Sequence, residues 1–301
     1  MMDYTDKELI EEISRRMKSN TKLLKEQKDL MEELKTVNKK LQESESLKSH
    51  FISNITNEIV NPFSSILGLS KAILSVDKEN WKKVFSMVAL IYTEAFNLDF
   101  QLKNIFAAAK IEAGEIYPEI GSVDICNLVQ SVTQTFKIEA KKKKVSFEII
   151  PDDETIQKDE KGSFYFKTDA EKLKLILLNF LNNAVKYSLD EGLITIEYWL
   201  ENEQLYISVK DRGVGISEEH KNIIFDRFKR IDTGITSTNR GHGLGLSINK
   251  AVLDLLGGNV EIESQPGQGA TFTINIPEAT EDAFMMATDD NELFFNDKQV
   301  F

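Results

Sequence analysis

The stretch Asp211-Arg212-Gly213-Val214-Gly215-Ile216 decides how this chain folds, together with Phe225-Asp226-Arg227-Phe228 and Gly241-His242-Gly243-Leu244-Gly245-Leu246 after it. Residues 205–210 alternate apolar and polar, which predicts a strand delivering Asp211 at its end. Gly213 and Gly215 then permit close backbone approach or a positive φ. An ordinary tight turn after a strand is one account of these glycines. The other is a cavity wall whose carboxylate accepts a hydrogen bond from an adenine amino group. Residues 241–246 open an apolar helix over 246–256, and glycines at a helix start leave backbone N–H groups free to meet phosphate. A lone glycine cluster is a weak signal; several such elements in order are a strong one.

Upstream, Leu173, Ile176, Leu177, Phe180, Leu181 and Ala184 recur at helical spacing and predict an amphipathic helix. Asn179, Asn183 and Lys186 fall at i, i+4 and i+7 on it, along one line. A solvated polar stripe would have the same pattern. The alternative is a metal–phosphate site, because amide oxygens are hard, neutral ligands for Mg2+ and Lys adds a point charge for phosphate.

Taken in order, these elements resemble the ATP-binding domain of sensor histidine kinases, the Bergerat-type ATPases shared with gyrase, Hsp90 and MutL. Residues 179–187 look like the N box, Asp211-x-Gly213-x-Gly215 like the G1 box, 225–228 like the F box and 241–246 like the G2 box. Gly267-Gln268-Gly269-Ala270-Thr271-Phe272 looks like the closing strand. The resemblance implies that Asn183, with Asn179, holds Mg2+, that Lys186 meets phosphate, that Tyr187 lies near the base and that Asp211 reads adenine. It also places Gly213, Gly215, Arg227, Phe228, Gly241, Gly243, Leu244, Gly245, Leu246 and Thr271 around ATP, with 229–240 as a lid.

The chain has 301 residues, enough for two or three domains, and a formal net charge of −12 that argues against nucleic acid as a general partner. The single Cys126 precludes an intrachain disulfide and suits a reducing compartment. No leader is expected and no apolar run is long enough to span a membrane, so the expected location is cytoplasmic.

Ile10, Ile13, Met17, Leu24, Met31, Leu34 and Leu41 share one heptad register, which predicts a parallel coiled-coil dimer over residues 1–46. Asn20, Gln27, Asn38, Glu45 and Lys48 interrupt the seam. The register continues through Ile52, Ile55, Ile59, Ile66, Leu69 and Ile73, breaks near Asn80, and resumes at Val84, Val88, Ile91, Ala95, Leu98, Leu102, Ile105 and Ala109. Two such helices predict an antiparallel hairpin over 47–114, a four-helix bundle when paired. This resembles the dimerisation and phosphotransfer domain of the same kinases, with Gly114 as the stop. Residues 115–122 are expected to be a linker and 123–277 the ATPase, an α/β sandwich. Within it, 124–144 reads as a single helix whose basic end, 141–144, complements its dipole. The acidic residues 278–301, with Phe284, Phe294, Phe295 and Phe301, are expected to be a flexible tail or a short docking segment.

Residues 51–62 align with the family's H box, which carries a phosphoacceptor His followed by Glu. Here that position is Asn57, with Glu58 and Pro62 retained and Val60 in place of the usual Arg. A carboxamide nitrogen is non-basic, since its lone pair is delocalised, so Asn57 cannot replace imidazole in attack on the γ-phosphate. His50, on the same helix face, lies seven residues earlier, roughly 10 Å away. By resemblance, Asn61, four after the His position, orients water for hydrolysis of a partner's phospho-aspartate, and Glu58-x-x-Asn61 keeps that motif. The reading is a homodimeric two-component protein that binds Mg-ATP and a response-regulator receiver domain. It lacks autokinase activity and is expected to keep phosphatase activity. The alternative is an ATP-binding pseudokinase scaffold without turnover.

Overall fold

The computed structural model describes residues 6–76, 80–226 and 243–279, without the side chains of 6–12, 40–41 and 43–58. Residues up to Asn54 form one unit and those from Ile55 another. Helix α1 (Asp6–Leu74) continues through Pro62. In the first unit the heptad residues Ile13, Met17, Leu24, Met31 and Leu34 are 50–66% exposed in the single chain.

In the second unit α1 ends at Leu74 and α2 (Trp81–Glu112) begins after Asn80. Gly114 adopts φ +67, which lets the Glu115 N–H reach back to the Lys110 carbonyl at 2.9 Å and closes α2. The apolar stripe expected on α2 is only partly covered, with Val88 exposed. Its buried residues are Thr93, Phe100 and Asn104, on another face. Beside them Phe96 meets Phe136 edge-on, centroids 5.7 Å apart, so α2 packs on the helices that follow.

Those helices belong to an α/β sandwich. After α2 come β1 (Gly121–Asp124), α3 (Ile125–Thr135), α4 (Lys137–Lys143), β2 (Ser146–Pro151) and β3 (Tyr165–Thr168). Then follow α5 (Ala170–Tyr187), β4 (Leu193–Glu201), β5 (Gln204–Lys210), α6 (Glu218–Lys221), α7 (Gly245–Leu255), β6 (Asn259–Ser264) and β7 (Ala270–Pro277). β1 starts inside the segment expected to be linker and pairs antiparallel with β3. The main sheet has the order β2-β4-β5-β7-β6, with β2 parallel to β4 and the other pairs antiparallel.

Alternation decides which sheet face is covered. Ile194, Ile196, Tyr198, Leu205, Ile207, Val209, Phe272, Ile274 and Ile276 are buried on the helix-facing side. Phe180 of α5 stacks on Phe272 at 5.2 Å and, at 2% exposed, sits at the centre of this core. Full burial of one such ring is worth about 2–3 kcal/mol.

The helix expected over 124–144 is two helices. Asp124 caps α3, accepting from the Asn127 N–H at 3.1 Å. The break falls at Phe136, which is fully buried with φ −91° and ψ 2°. Thr133 and Thr135 hydrogen-bond to carbonyls of their own helix, at 2.7 and 2.9 Å, a pattern that bends helices. The bend keeps Phe136 in the core and turns α4 along β2.

Candidate nucleotide site

Asp169 anchors the start of α5. Its carboxylate is 1% exposed and accepts from the Lys172 N–H at 2.9 Å, the Lys172 ammonium at 2.6 Å and the Glu119 N–H at 2.6 Å. It therefore holds both the helix and the segment arriving from α2. The far end of α5 is held by Lys143, whose ammonium donates to the carbonyls of Val185 at 3.1 Å, Lys186 at 2.6 Å and Ser188 at 3.3 Å. A cation belongs at a helix C-terminus, where carbonyls lack intrahelical partners. Within the basic run 141–144, Lys143 thus serves a helix other than its own, a role that periodicity does not reveal.

The aligned polar residues of α5 differ in their surroundings. Asn179 is 2% exposed, and its amide nitrogen donates to Asn249 Oδ1 at 2.7 Å and to the Gly245 carbonyl at 3.3 Å. Asn249, fully buried, donates in turn to the Ile176 carbonyl at 3.1 Å. This pair of carboxamides ties α5 to α7. An added Cβ on Gly245 would lie 3.1 Å from Asn179 Oδ1, so the glycine permits the close approach. Asn183, one turn on, is half-buried and makes no side-chain hydrogen bond to a described residue. Lys186 is half-buried with its ammonium 5.1 Å from the ring centre of Tyr187, which is 38% exposed.

Asp211 ends β5 and is 7% exposed. Its N–H donates to the Ala270 carbonyl at 2.8 Å, and its Oδ1 accepts from the Ala270 N–H at 3.3 Å. Burial pushes its carboxyl up to about 6, against the backbone N–H groups of Ala270 and Gly213, which favour the anion. The loop after it is locked backbone to backbone. A Cβ on Gly213 would stand 2.3 Å from the Tyr187 carbonyl oxygen, and one on Gly215 (φ +69) 1.9 Å from that of Gln265. Val214 donates to Tyr187 O at 3.3 Å and accepts from Gly267 N at 2.7 Å; Ile216 N donates to Ser264 Oγ at 2.8 Å. These contacts hold the carboxylate in place.

Gly243 (φ +68) and the buried Leu244 lead into α7, whose first turn has no side-chain cap. Leu246 is half-exposed there. Thr271 is not brought to this site. It alternates with Ala270 and Phe272, so it points to the sheet face away from α5, between Lys210 and Glu263. Ala270 is the residue of that strand that meets Asp211. Arg227, Phe228 and Gly241 lie outside the described residues, as do the side chains of Asn57 and Glu58. Asn61 is exposed on α1. No described helix is long and apolar enough to cross a membrane.

Residues 168–280 match the family described as Histidine kinase-, DNA gyrase B-, and HSP90-like ATPase. Over a wider span the chain is 32% identical to the circadian input-output histidine kinase CikA of Synechocystis sp., across 77% of this chain and 31% of that protein. The chain belongs to the sensor histidine kinase family. Another relative, the sensor-like histidine kinase SenX3 of Mycolicibacterium smegmatis, is 28% identical across 78% of this chain and 58% of its own length. The crystal structure of full-length ShkA in complex with AMPPNP shares the fold, with a TM-score of 0.53, 24% identity and coverage of 78% of this chain and 46% of that one. The chain spans about a third of the length of the first curated relatives it matches (31, 31 and 27%). Within this member of the family, Lys143, Asn249, Ser264 and Ala270 are the residues around the site that sequence reading missed. Lys143, Asn249 and Ser264 act through side-chain contacts to distant backbone and Ala270 through its own N–H, and neither kind of contact leaves a local pattern.

Proposed function

We propose that this histidine-kinase-family chain binds Mg-ATP between α5, the Asp211 loop and the start of α7, and works as a homodimer on a response-regulator receiver domain. Support for the nucleotide comes chiefly from Asp211, a buried carboxylate on a preformed loop, suited to accept the adenine amino group. Lys186 and the uncapped first turn of α7 are suited to phosphate, with Arg227, Phe228 and Gly241 as further nucleotide residues. The open carboxamide of Asn183 fits as a neutral oxygen ligand for Mg2+; Asn179, held against α7, acts by positioning. Mg2+, when bound, would neutralise phosphate charge.

Support for a dimer comes from the exposed apolar residues of the second unit's helices, among them Phe63, Leu67, Phe85 and Val88 at 49–73%, and from the exposed heptad stripe before them. A second copy would cover both, over 1–46 and 47–114. The ATPase would occupy 123–277.

The observation that decides the activity is Asn57. With no imidazole at that position the chain lacks autokinase activity, whereas Glu58 and Asn61 suffice to orient water on a phospho-aspartate. Incubation with Mg2+ and γ-labelled ATP, beside an Asn57→His variant, tests the first half. Acid-labile label on the variant alone is expected; label on the unaltered chain would overturn it. Adding a phosphorylated receiver tests the second. A receiver bound with unchanged phospho-lifetime would make the chain a scaffold.

A further inference from the structure

A groove of about 740 Å³ runs along one edge of the main sheet. Its strand, β2, is the end strand of that sheet and pairs only with β4 among the described strands. Val145, Phe147 and Ile149 line it with apolar surface, and Lys137, Lys141 and Lys144 bring three ammonium groups. Lys144 is paired with Glu191 at 2.8 Å. Lys137 and Lys141 are exposed and have no ion-pair partner among the described residues. A cationic, apolar-floored groove on a chain of net charge −12 calls for an acidic, apolar occupant.

The chain carries such a segment. Residues 280–301 lie outside the described residues, and their sequence has Glu281, Asp282, Asp289, Asp290, Glu292 and Asp297 against a single Lys298. Two apolar clusters sit among these charges, Phe284-Met285-Met286 and Leu293-Phe294-Phe295. Reach selects between them. The last described residue, Ala279, is pinned by its N–H to the Lys167 carbonyl at 3.0 Å. From Pro277 the groove lies three strands across and five or more residues down the sheet, about 25 Å at usual strand spacings. Phe284 is seven residues past Pro277, a span of roughly 24 Å only when fully extended, which leaves no slack to seat a side chain. Phe294 is seventeen residues past Pro277, roughly 58 Å, and reaches with slack.

We propose that residues 289–297 dock in this groove of their own chain, Leu293, Phe294 and Phe295 on Val145, Phe147 and Ile149, and the flanking carboxylates on Lys137 and Lys141. Tethering favours this occupant over a free one, because a short linker holds it at an effective concentration near millimolar.

Zero-length carbodiimide cross-linking of the full chain, read by mass spectrometry, tests this. A mixture of heavy- and light-isotope chains separates links within a chain from links between chains. Amide links from Lys137 and Lys141 to Asp289, Asp290, Glu292 or Asp297 within one chain are expected. The double variant Phe294→Ser, Phe295→Ser keeps the tail's charge and should lower their yield at least about tenfold. Lys137→Gln should lower the yield at Lys141, whose amine remains. Links spread over surface lysines, links between heavy and light chains, or a yield indifferent to the Phe substitutions would each overturn the proposal.

Discussion

The ammonium of Lys143 and the carbonyl oxygen of Lys186 lie 2.6 Å apart, joining the end of α4 to the last turn of α5. The same ammonium also serves Val185 and Ser188. Charge-assisted bonds of this kind contribute about 1.5–3 kcal/mol, and their loss leaves carbonyls without a donor. Lys143→Met is expected to lower stability by about 2 kcal/mol. It is also expected to weaken nucleotide binding, because Lys186 and Tyr187 sit on the released turn. Urea unfolding and titration with a fluorescent ATP analogue check the two effects. An unshifted unfolding midpoint would sink the assignment.

Asp211 is expected to make nucleotide binding depend on pH. Its folded-state pKa of about 6 is raised from an ordinary 3.8. Between these values the folded chain holds a proton that the unfolded chain has released. The burial cost is therefore fully felt above pH 6 and is relieved as pH falls through 6 toward 4. Stability contributed by this group falls as pH rises across that window. Binding should run the other way, since only the anion accepts fully from an adenine amino group. Affinity for the ATP analogue should drop several-fold from pH 7.5 to 5.5 in the native chain. Asp211→Asn should bind more weakly at neutral pH and show a flat profile.

Two glycines with like φ separate backbone conformation from close packing. Gly215 and Gly267 have φ of +69 and +78. A Cβ on Gly267 meets nothing within 4 Å, while one on Gly215 would stand 1.9 Å from the Gln265 carbonyl oxygen. Gly267→Ala should cost only the left-handed penalty of about 1–2 kcal/mol. Gly215→Ala adds a backbone collision and should cost clearly more, with loss of nucleotide binding. Equal unfolding midpoints for the two variants would refute the close packing of the Asp211 loop.

Phe136 is fully buried at the bend between α3 and α4, with Phe96 of α2 against its edge. Phe136→Ala is expected to cost about 3–5 kcal/mol from lost burial and the cavity left behind. Denaturant titration reads the loss directly. A cost under about 1 kcal/mol would mean that the site collapses around the smaller side chain.

Much of this architecture is written in local periodicity. The apolar repeat from Leu173 to Ala184 forms α5 and buries that face, and the alternation ahead of Asp211 forms β5. These patterns are readable because helix and strand periods follow from backbone geometry alone. The same reading ran past Phe136, since no Gly or Pro marks the bend.

What the sequence by itself determined is the family, most of the order of its elements, and the residue types on which the proposed nucleotide site rests. What only the tertiary structure decided is how those residues are used. Asn179 and Asn183 look equivalent along α5, yet one is tied to Asn249, seventy residues on, and the other is open. Thr271 stands in the expected motif, yet strand parity turns it outward and leaves Ala270 against Asp211. The physical reason is the same in each case. Periodicity marks which face of an element is covered, as it does in β7, but the distant partner that covers it is set by packing between segments far apart in the chain, and no local pattern carries that information.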